Sequence, residues 1–156
     1  MTAVQFIEDL AEELGKVLSH MQFPDELTGS TTGINIFQFG IPLEKTKEDR
    51  KKKFPYVLIT PDEGDIADSM APQTVSVQVL IGIYDNGMEN QGKKHVLNVI
   101  NDICERFQVN PVLKNDYYAD EKITWVVDGE EEHPYHYGAV QLLFNIPASR
   151  RENEYA

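Results

Sequence analysis

The chain has 156 residues, 41% hydrophobic and 26% charged, with 26 acidic and 14 basic side chains and a formal net charge of −12. That length suits one domain with its own core, and the acidic balance argues against a nucleic-acid binder that neutralises phosphates over a broad basic surface. The single cysteine, Cys104, excludes an intramolecular disulfide framework or a cysteine-cluster zinc site; no apolar run is long enough to predict a transmembrane helix, and the N-terminus lacks the basic and apolar regions of a signal peptide, so residence in a cytoplasm is expected.

Val4, Ile7, Leu10, Ala11, Leu14, Val17, Leu18 and Met21 recur at helical spacing and predict a helix from Ala3 to about His20. Thr2 is its candidate cap, with Gln5 three residues on as in a capping box. Glu8, Asp9, Glu12, Glu13 and Lys16 are assigned to the solvent face. Pro24 ends the pattern, and Thr28 to Gly33 is rich in turn formers. Ile34 to Phe39 and Phe54 to Thr60 read as short strands, with Pro55 marking a sheet edge or the start of a strand. The strongest strand signal is Thr74 to Tyr84. Val75, Val77, Val79, Ile81 and Ile83 share one face, while Leu80 on the other suggests partial cover there too. Asp85-Asn86-Gly87 supplies a turn.

A second helix is predicted from about Gln91 to Gln108, with Val96, Ile100, Ile103, Cys104 and Phe107 as its stripe and Asn110-Pro111 as its stop. Strands over Ile123 to Val127 and Ala139 to Ile146 complete an α-β-β-β-α-β-β order. Two helices with one apolar stripe each point to an α+β fold, a mixed and mainly antiparallel sheet with both helices on one face. One domain spans 1–148, followed by a polar tail from Ser149 to Ala156.

Charge is unevenly distributed. Pro42 to Lys53, read as a loop, holds six basic residues (Lys45, Lys47, Arg50, Lys51, Lys52, Lys53) against three acidic ones. Acidic patches follow at Asp62, Glu63, Asp65 and Asp68, and at Asp128 and Glu130 to Glu132. Solvated loops that keep the protein soluble account for such patches as well as a binding role does. No aromatic residues interleave with the basic run, so it does not read as a base-stacking surface.

Chemistry-bearing motifs are sparse. Cys104 sits on a helix stripe and reads as a small buried hydrophobe. His133-Pro134-Tyr135-His136 has metal-like spacing but no evident third ligand, and Asp62-Glu63-Gly64-Asp65 lacks the alternating ligands and closing glutamate of a calcium loop. There is no phosphate-binding glycine loop, dinucleotide fingerprint or nucleophile elbow. Hence no catalytic residue, metal or cofactor is expected. Trp125, among β-branched neighbours, reads as core or interface packing.

The ordered set Phe54-Pro55-Tyr56-Val57-Leu58-Ile59-Thr60-Pro61, an acidic loop, Val75 to Asp85, the helical His95 to Asn101, Ile123-Thr124-Trp125, Pro134-Tyr135 and a last strand ending Ile146-Pro147 resembles the tail-terminator (tail-completion) proteins of long-tailed bacteriophages and prophages. The likeness covers about residues 54 to 148. It implies an α/β protein made in the bacterial host cytoplasm that assembles as a ring, typically a hexamer, on the virion's tail tube. The ring stops tube polymerisation and meets the head connector, and DNA passes through its centre without specific binding. On this resemblance Lys45, Lys47, Arg50, Lys51, Lys52 and Lys53 are expected to dock on the tube or connector, and Asp62, Glu63, Asp65 and Asp68 to face the lumen or ring rim. Phe37, Phe39 and Tyr56 are candidates for the contact between copies, or for the core. Another head–tail connector, neck or head-completion role is the nearest alternative; a small enzyme with a carboxylate-based site and a peptide-binding module are alternatives of other classes.

Overall fold

The structure, a computed structural model, describes residues 2–25, 30–43, 45–68, 70–87, 91–128 and 133–147, the side chains of 47–49 excepted. The expected tail from Ser149 and the acidic Glu130 to Glu132 lie outside the described residues.

Helix α1 runs Ala3–Val17, and the Thr2 hydroxyl accepts a hydrogen bond from the Gln5 N–H at 3.1 Å. It stops short of His20 because Leu18 leaves helical geometry, with ψ at 3°. Phe6, Ile7, Leu10 and Leu14 are fully buried. The turn-rich stretch that follows contains a small antiparallel hairpin, β1 (Phe23–Asp25) with β2 (Ser30–Thr32). Pro24 therefore lies within a strand, in a two-stranded ribbon where a missing N–H is tolerated.

The main sheet has seven strands: β3 (Asn35–Gln38), β4 (Tyr56–Asp65), β5 (Gln73–Tyr84), β6 (Val112–Leu113), β7 (Tyr117–Ala119), β8 (Thr124–Val127) and β9 (Tyr135–Ile146). The path is β3-β4-β5-β9-β7-β6, with β8 also paired to β9. Among the described residues β3 and β4 run parallel and the sheet's other pairings are antiparallel. The α+β class and the mixed, mainly antiparallel sheet are therefore as the sequence predicts. The short β6 and β7 were not legible in it, since strands of two and three residues carry no measurable period.

One face of the sheet carries Val57 and Ile59 of β4, Val75 to Ile83 at alternate positions of β5, and Val140, Leu142, Phe144 and Ile146 of β9, all buried. Against it pack α1 and α3 (Gly92–Val109), the latter through Val96, Val99, Ile100, Ile103 and Phe107. Phe144 joins the two helices: its ring centroid lies 4.9 Å from that of Phe6 and 5.2 Å from that of Phe107. Burial of each such side chain contributes about 1.5–3 kcal/mol.

Three assignments need correction. The stretch from Pro42 to Lys53 is not all loop: Lys47–Lys52 forms a third helix, α2. The acidic loop begins later than expected, because β4 continues through Asp62, Glu63 and Asp65 before turning at Ile66. Finally, Asp9 is buried, not on the solvent face of α1. Tyr117 explains the last point, since its hydroxyl donates to Asp9 Oδ2 at 2.7 Å.

Candidate functional site

The sheet's second face lacks the cover of α1 and α3, and its two ends differ in chemistry. At one end, cross-strand register brings aromatic rings together. Tyr56 of β4 faces Gly82 of β5, and Gly82 faces Tyr137 of β9; one step on, Tyr84 faces Tyr135. Gly82 makes this possible, because a Cβ there would collide with the Tyr56 ring and come within 2.9 Å of Phe54. The Phe54 ring consequently lies 5.1 Å from Tyr56 and 5.2 Å from Tyr135, and Tyr84 and Tyr135 meet edge-on at 5.3 Å.

Helix α2 and the residue after it bring cations to these rings. The Arg50 guanidinium stands 4.2 Å from the Tyr135 ring centre, and Lys51 Nζ 5.5 Å from that of Tyr84. Lys53 Nζ is 5.6 Å from Phe54 and 5.9 Å from Tyr56. All lie within the range in which a cation is attracted to a ring face. The segment is further anchored by the Asn35 side-chain amide, which donates to the Lys53 carbonyl at 3.0 Å. Of the expected basic set, Arg50, Lys51 and Lys53 thus share one site. Lys45 and Lys52 are exposed beside it, and Lys47 opens the helix. The aromatic partners of Arg50 and Lys51 come from β9 and β5, while those of Lys53, Phe54 and Tyr56, directly follow the basic run in sequence. Gly82 and Tyr84, and likewise Tyr135 and Tyr137, are two residues apart and so share a face, which is the signal that was available.

At the other end stand carboxylates. The β4–β5 register shifts between Pro61 and Glu63. Before the shift, odd residues of β4 face the helices; after it, Glu63 and Asp65 pair with Ser76 and Thr74, whose side chains lie on the second face. The bulge therefore turns both carboxylates to the face away from α1 and α3. Asp62 joins them, accepting from the Gln141 side-chain amide at 3.4 Å, and Gln141 also donates to Ser76 Oγ at 3.0 Å. Asp68 is separate. It caps the following turn by accepting from the Met70 and Ala71 N–H groups, each at 2.8 Å. The Asp62-Glu63-Gly64-Asp65 stretch is an edge of a sheet, not an ion-binding loop.

Between the ends, Leu58, Leu80 and Ala139 are half-buried, and Val126 and Leu143 are 58% and 38% exposed. Leu80 on this face has the partial cover that the sequence suggested. Of the three aromatic contact candidates, Tyr56 is buried, Phe37 half-buried with its ring 6.2 Å from Tyr56, and Phe39 exposed.

Several other polar groups make contacts within the fold. Lys114 Nζ lies 2.6 Å from Glu12 and 3.6 Å from Asp9; its hydrogen bond lowers the Glu12 carboxyl below its ordinary range and raises the Lys114 ammonium. Tyr117 is raised above the usual phenol range, first by burial and then by its bond to Asp9. Cys104 is buried, and burial raises its thiol. His133 and His136 have rings 6.4 Å apart and nearly perpendicular. His136 lies under α3 against Gly92, where a Cβ would overlap its ring, and its Nε2 is buried without a hydrogen-bond partner. Burial lowers its pKa, and so do His133 and Lys93, against the opposing effect of Asp85. Trp125 is 53% exposed and not in the core, because its strand β8 pairs only with β9; it lines a groove of about 490 Å³ beside Leu97, Ile100 and Cys104 of α3.

No protein-family model matches the sequence, and comparison with curated proteins gives no match.

Proposed function

We propose that this chain is a structural protein of a long-tailed phage that caps the tail tube as a ring, ends its polymerisation and offers the surface to which the head connector joins. The observation that carries the proposal is the sheet face away from α1 and α3, which carries the basic α2 over aromatic rings at one end and a cluster of carboxylates at the other. Such a face recognises protein surfaces by shape and charge. The ordered likeness of residues 54 to 148 to tail terminators gives the assembly its identity. In this scheme the end built from Arg50, Lys51 and Lys53 meets tube or connector. The carboxylates of Asp62, Glu63 and Asp65 face the lumen or rim, where negative charge repels the DNA phosphates and leaves the passage free. No helix of the described residues is long and apolar enough to cross a membrane; the proposed location is the virion tail, after synthesis in the host cytoplasm.

Electron microscopy of particles made without the chain tests this. Overlong, headless tubes are expected. Tails of normal length that fail to join heads would move the protein to the neck, the alternative in the same class, and normal infectious particles would overturn the assembly role altogether.

A further inference from the structure

Strand β8 leaves one edge of the sheet open. Its register with β9 runs from Thr124 opposite Gln141 to Val127 opposite Gly138, and one step on the Asp128 N–H donates to the Tyr137 carbonyl at 3.0 Å. Backbone bonds in an antiparallel pair alternate along each strand. Thr124, Val126 and Asp128 therefore direct theirs to β9. The N–H and C=O groups of Ile123, Trp125 and Val127 point the other way, where no strand of the described residues pairs with them. The stretch of β4 beyond its pairing with β3 is guarded by Pro61, a bulge and three carboxylates; Thr124–Val127, its shortness apart, has none of these devices. Trp125 and Val126 are 53% and 58% exposed on its two faces. From this edge we infer that two copies of the chain join through β8, antiparallel and centred on Trp125, so that one sheet runs through both.

The segment from Lys122 to Asp128 is its own complement, and this identifies a second copy as the occupant. A half-turn about an axis normal to the sheet at Trp125 sets Trp125 against Trp125, Ile123 against Val127, Thr124 against Val126 and Lys122 against Asp128. The outward backbone groups of Ile123, Trp125 and Val127 then bond to those of Val127, Trp125 and Ile123 in the other copy. Backbone and side chains thus agree on one register, with an aromatic pair at the centre, β-branched pairs beside it and opposite charges at both rims. A slip of two residues keeps the backbone bonds but sets Lys122 against Val126, or Asp128 against Thr124. Asp128 also has interactions within its own chain, so the Lys122 contact selects the register while the strand bonds and Trp125 hold the pair. Because the axis is normal to the sheet, α3 of both copies lies on the same side. The two Trp125 side chains meet between them, over the groove that Leu97, Cys104 and Ile123 line. The strand is short and each copy carries a net charge of −12, so the pair is weak, with a dissociation constant on the order of 100 μM. The contact is isologous, whereas a ring closes through head-to-tail contacts on other surfaces, so the pairing does not rest on the tail-capping proposal.

Sedimentation and amide hydrogen exchange of the full chain test the inference, between about 20 μM and 1 mM and at about 0.1 M salt, where net repulsion is screened. Wild type is expected to show a reversible monomer–dimer equilibrium. Exchange at the Ile123, Trp125 and Val127 N–H groups should slow as concentration rises, while Thr124 and Val126, already bonded to β9, stay protected throughout. Trp125→Lys sets two ammonium groups opposite each other and should abolish the dimer over this range. Lys122→Glu should weaken it about tenfold, and Lys122→Glu/Asp128→Lys should return it to within about threefold of wild type, because opposite charges again face each other. The inference is overturned by a wild type monomeric at the highest concentration, as an unrelated peptide or the chain's own C-terminal segment on this edge would leave it. A larger oligomer in place of the dimer, undiminished association of either single variant, or a double variant no better than Lys122→Glu overturns it as well. Should a variant not fold, the exchange pattern of wild type decides: slowing at the three alternate amides supports the pairing, and slowing elsewhere only, or none, overturns it. Normal infectious particles without the chain would remove the tail-capping proposal and leave the β8 pair standing, whereas a monomeric wild type would do the reverse.

Discussion

His136 illustrates how a single residue comes to depend on its surroundings. Its ring fits beneath α3 only because position 92 is glycine, and its buried Nε2 has no partner. Protonation there would place a charge in a site that burial, His133 and Lys93 all oppose, with Asp85 the opposing influence. The folded pKa lies below the unfolded value near 6.5, so the neutral ring's stabilising contribution is present above about pH 6.5 and is lost as pH falls through the folded pKa. Urea midpoints should therefore decline between pH 7 and 5.5, ahead of the general titration of carboxylates, and His136→Gln should flatten the decline. Equal slopes in the two proteins would assign the effect to other groups. The histidine pair looked like half a metal site in sequence; cover by α3, contributed from forty residues away, gives His136 a packing role.

Between elements, the decisive contacts are polar. Arg106 of α3 donates through Nε to Glu13 of α1 at 2.7 Å, through Nη1 to the Asn110 carbonyl at 2.5 Å, and through Nη2 to the Val112 carbonyl of β6 at 3.0 Å. One guanidinium thus ties both helices to the sheet's far edge, and its ion pair is only 19% and 20% exposed. Arg106→Met should cost about 2–3 kcal/mol, since it leaves Glu13 and two carbonyls without this donor. The measurement is a urea unfolding curve, and a loss below 0.5 kcal/mol would mean that solvent replaces the guanidinium at little cost. The Tyr117–Asp9 bond does similar work between β7 and α1. None of these partnerships was legible in sequence. Arg106 and Glu13 are 93 residues apart, and each alone looks like a solvent-facing helix charge.

At the scale of the molecule, charge is unevenly placed. The net charge of −12 is a property of composition. The fold, however, places the basic helix over one end of the second sheet face, where Asp128 adjoins Tyr137, and three carboxylates at the other, where Lys122 lies near Ser76 and Gln141. Reversing Lys51, Lys52 and Lys53 to Glu removes no apolar side chain from the core, so the thermal midpoint should change by no more than a few degrees. If the cationic end docks on the connector, tails should still form but heads should not join them. Counting joined and free tails by electron microscopy reads this out, and a wild-type proportion of joined particles would remove the docking role from that end.

The long elements could be read without a structure because each repeats its pattern often enough to be unambiguous: the stripes of α1 and α3, and the alternation of β5 over Val75 to Ile83. Two such helix stripes and a sheet determined the α+β class. Tertiary structure decided what sequence periodicity does not contain. It decided the direction of Glu63 and Asp65, which a one-residue bulge reverses, and the aromatic support of Arg50 and Lys51, which comes from strands some 30 to 90 residues distant. The physical reason is range: burial along one element repeats at 2.0 or 3.6 residues and is written locally, whereas the meeting of charges and rings depends on register between strands remote in the chain.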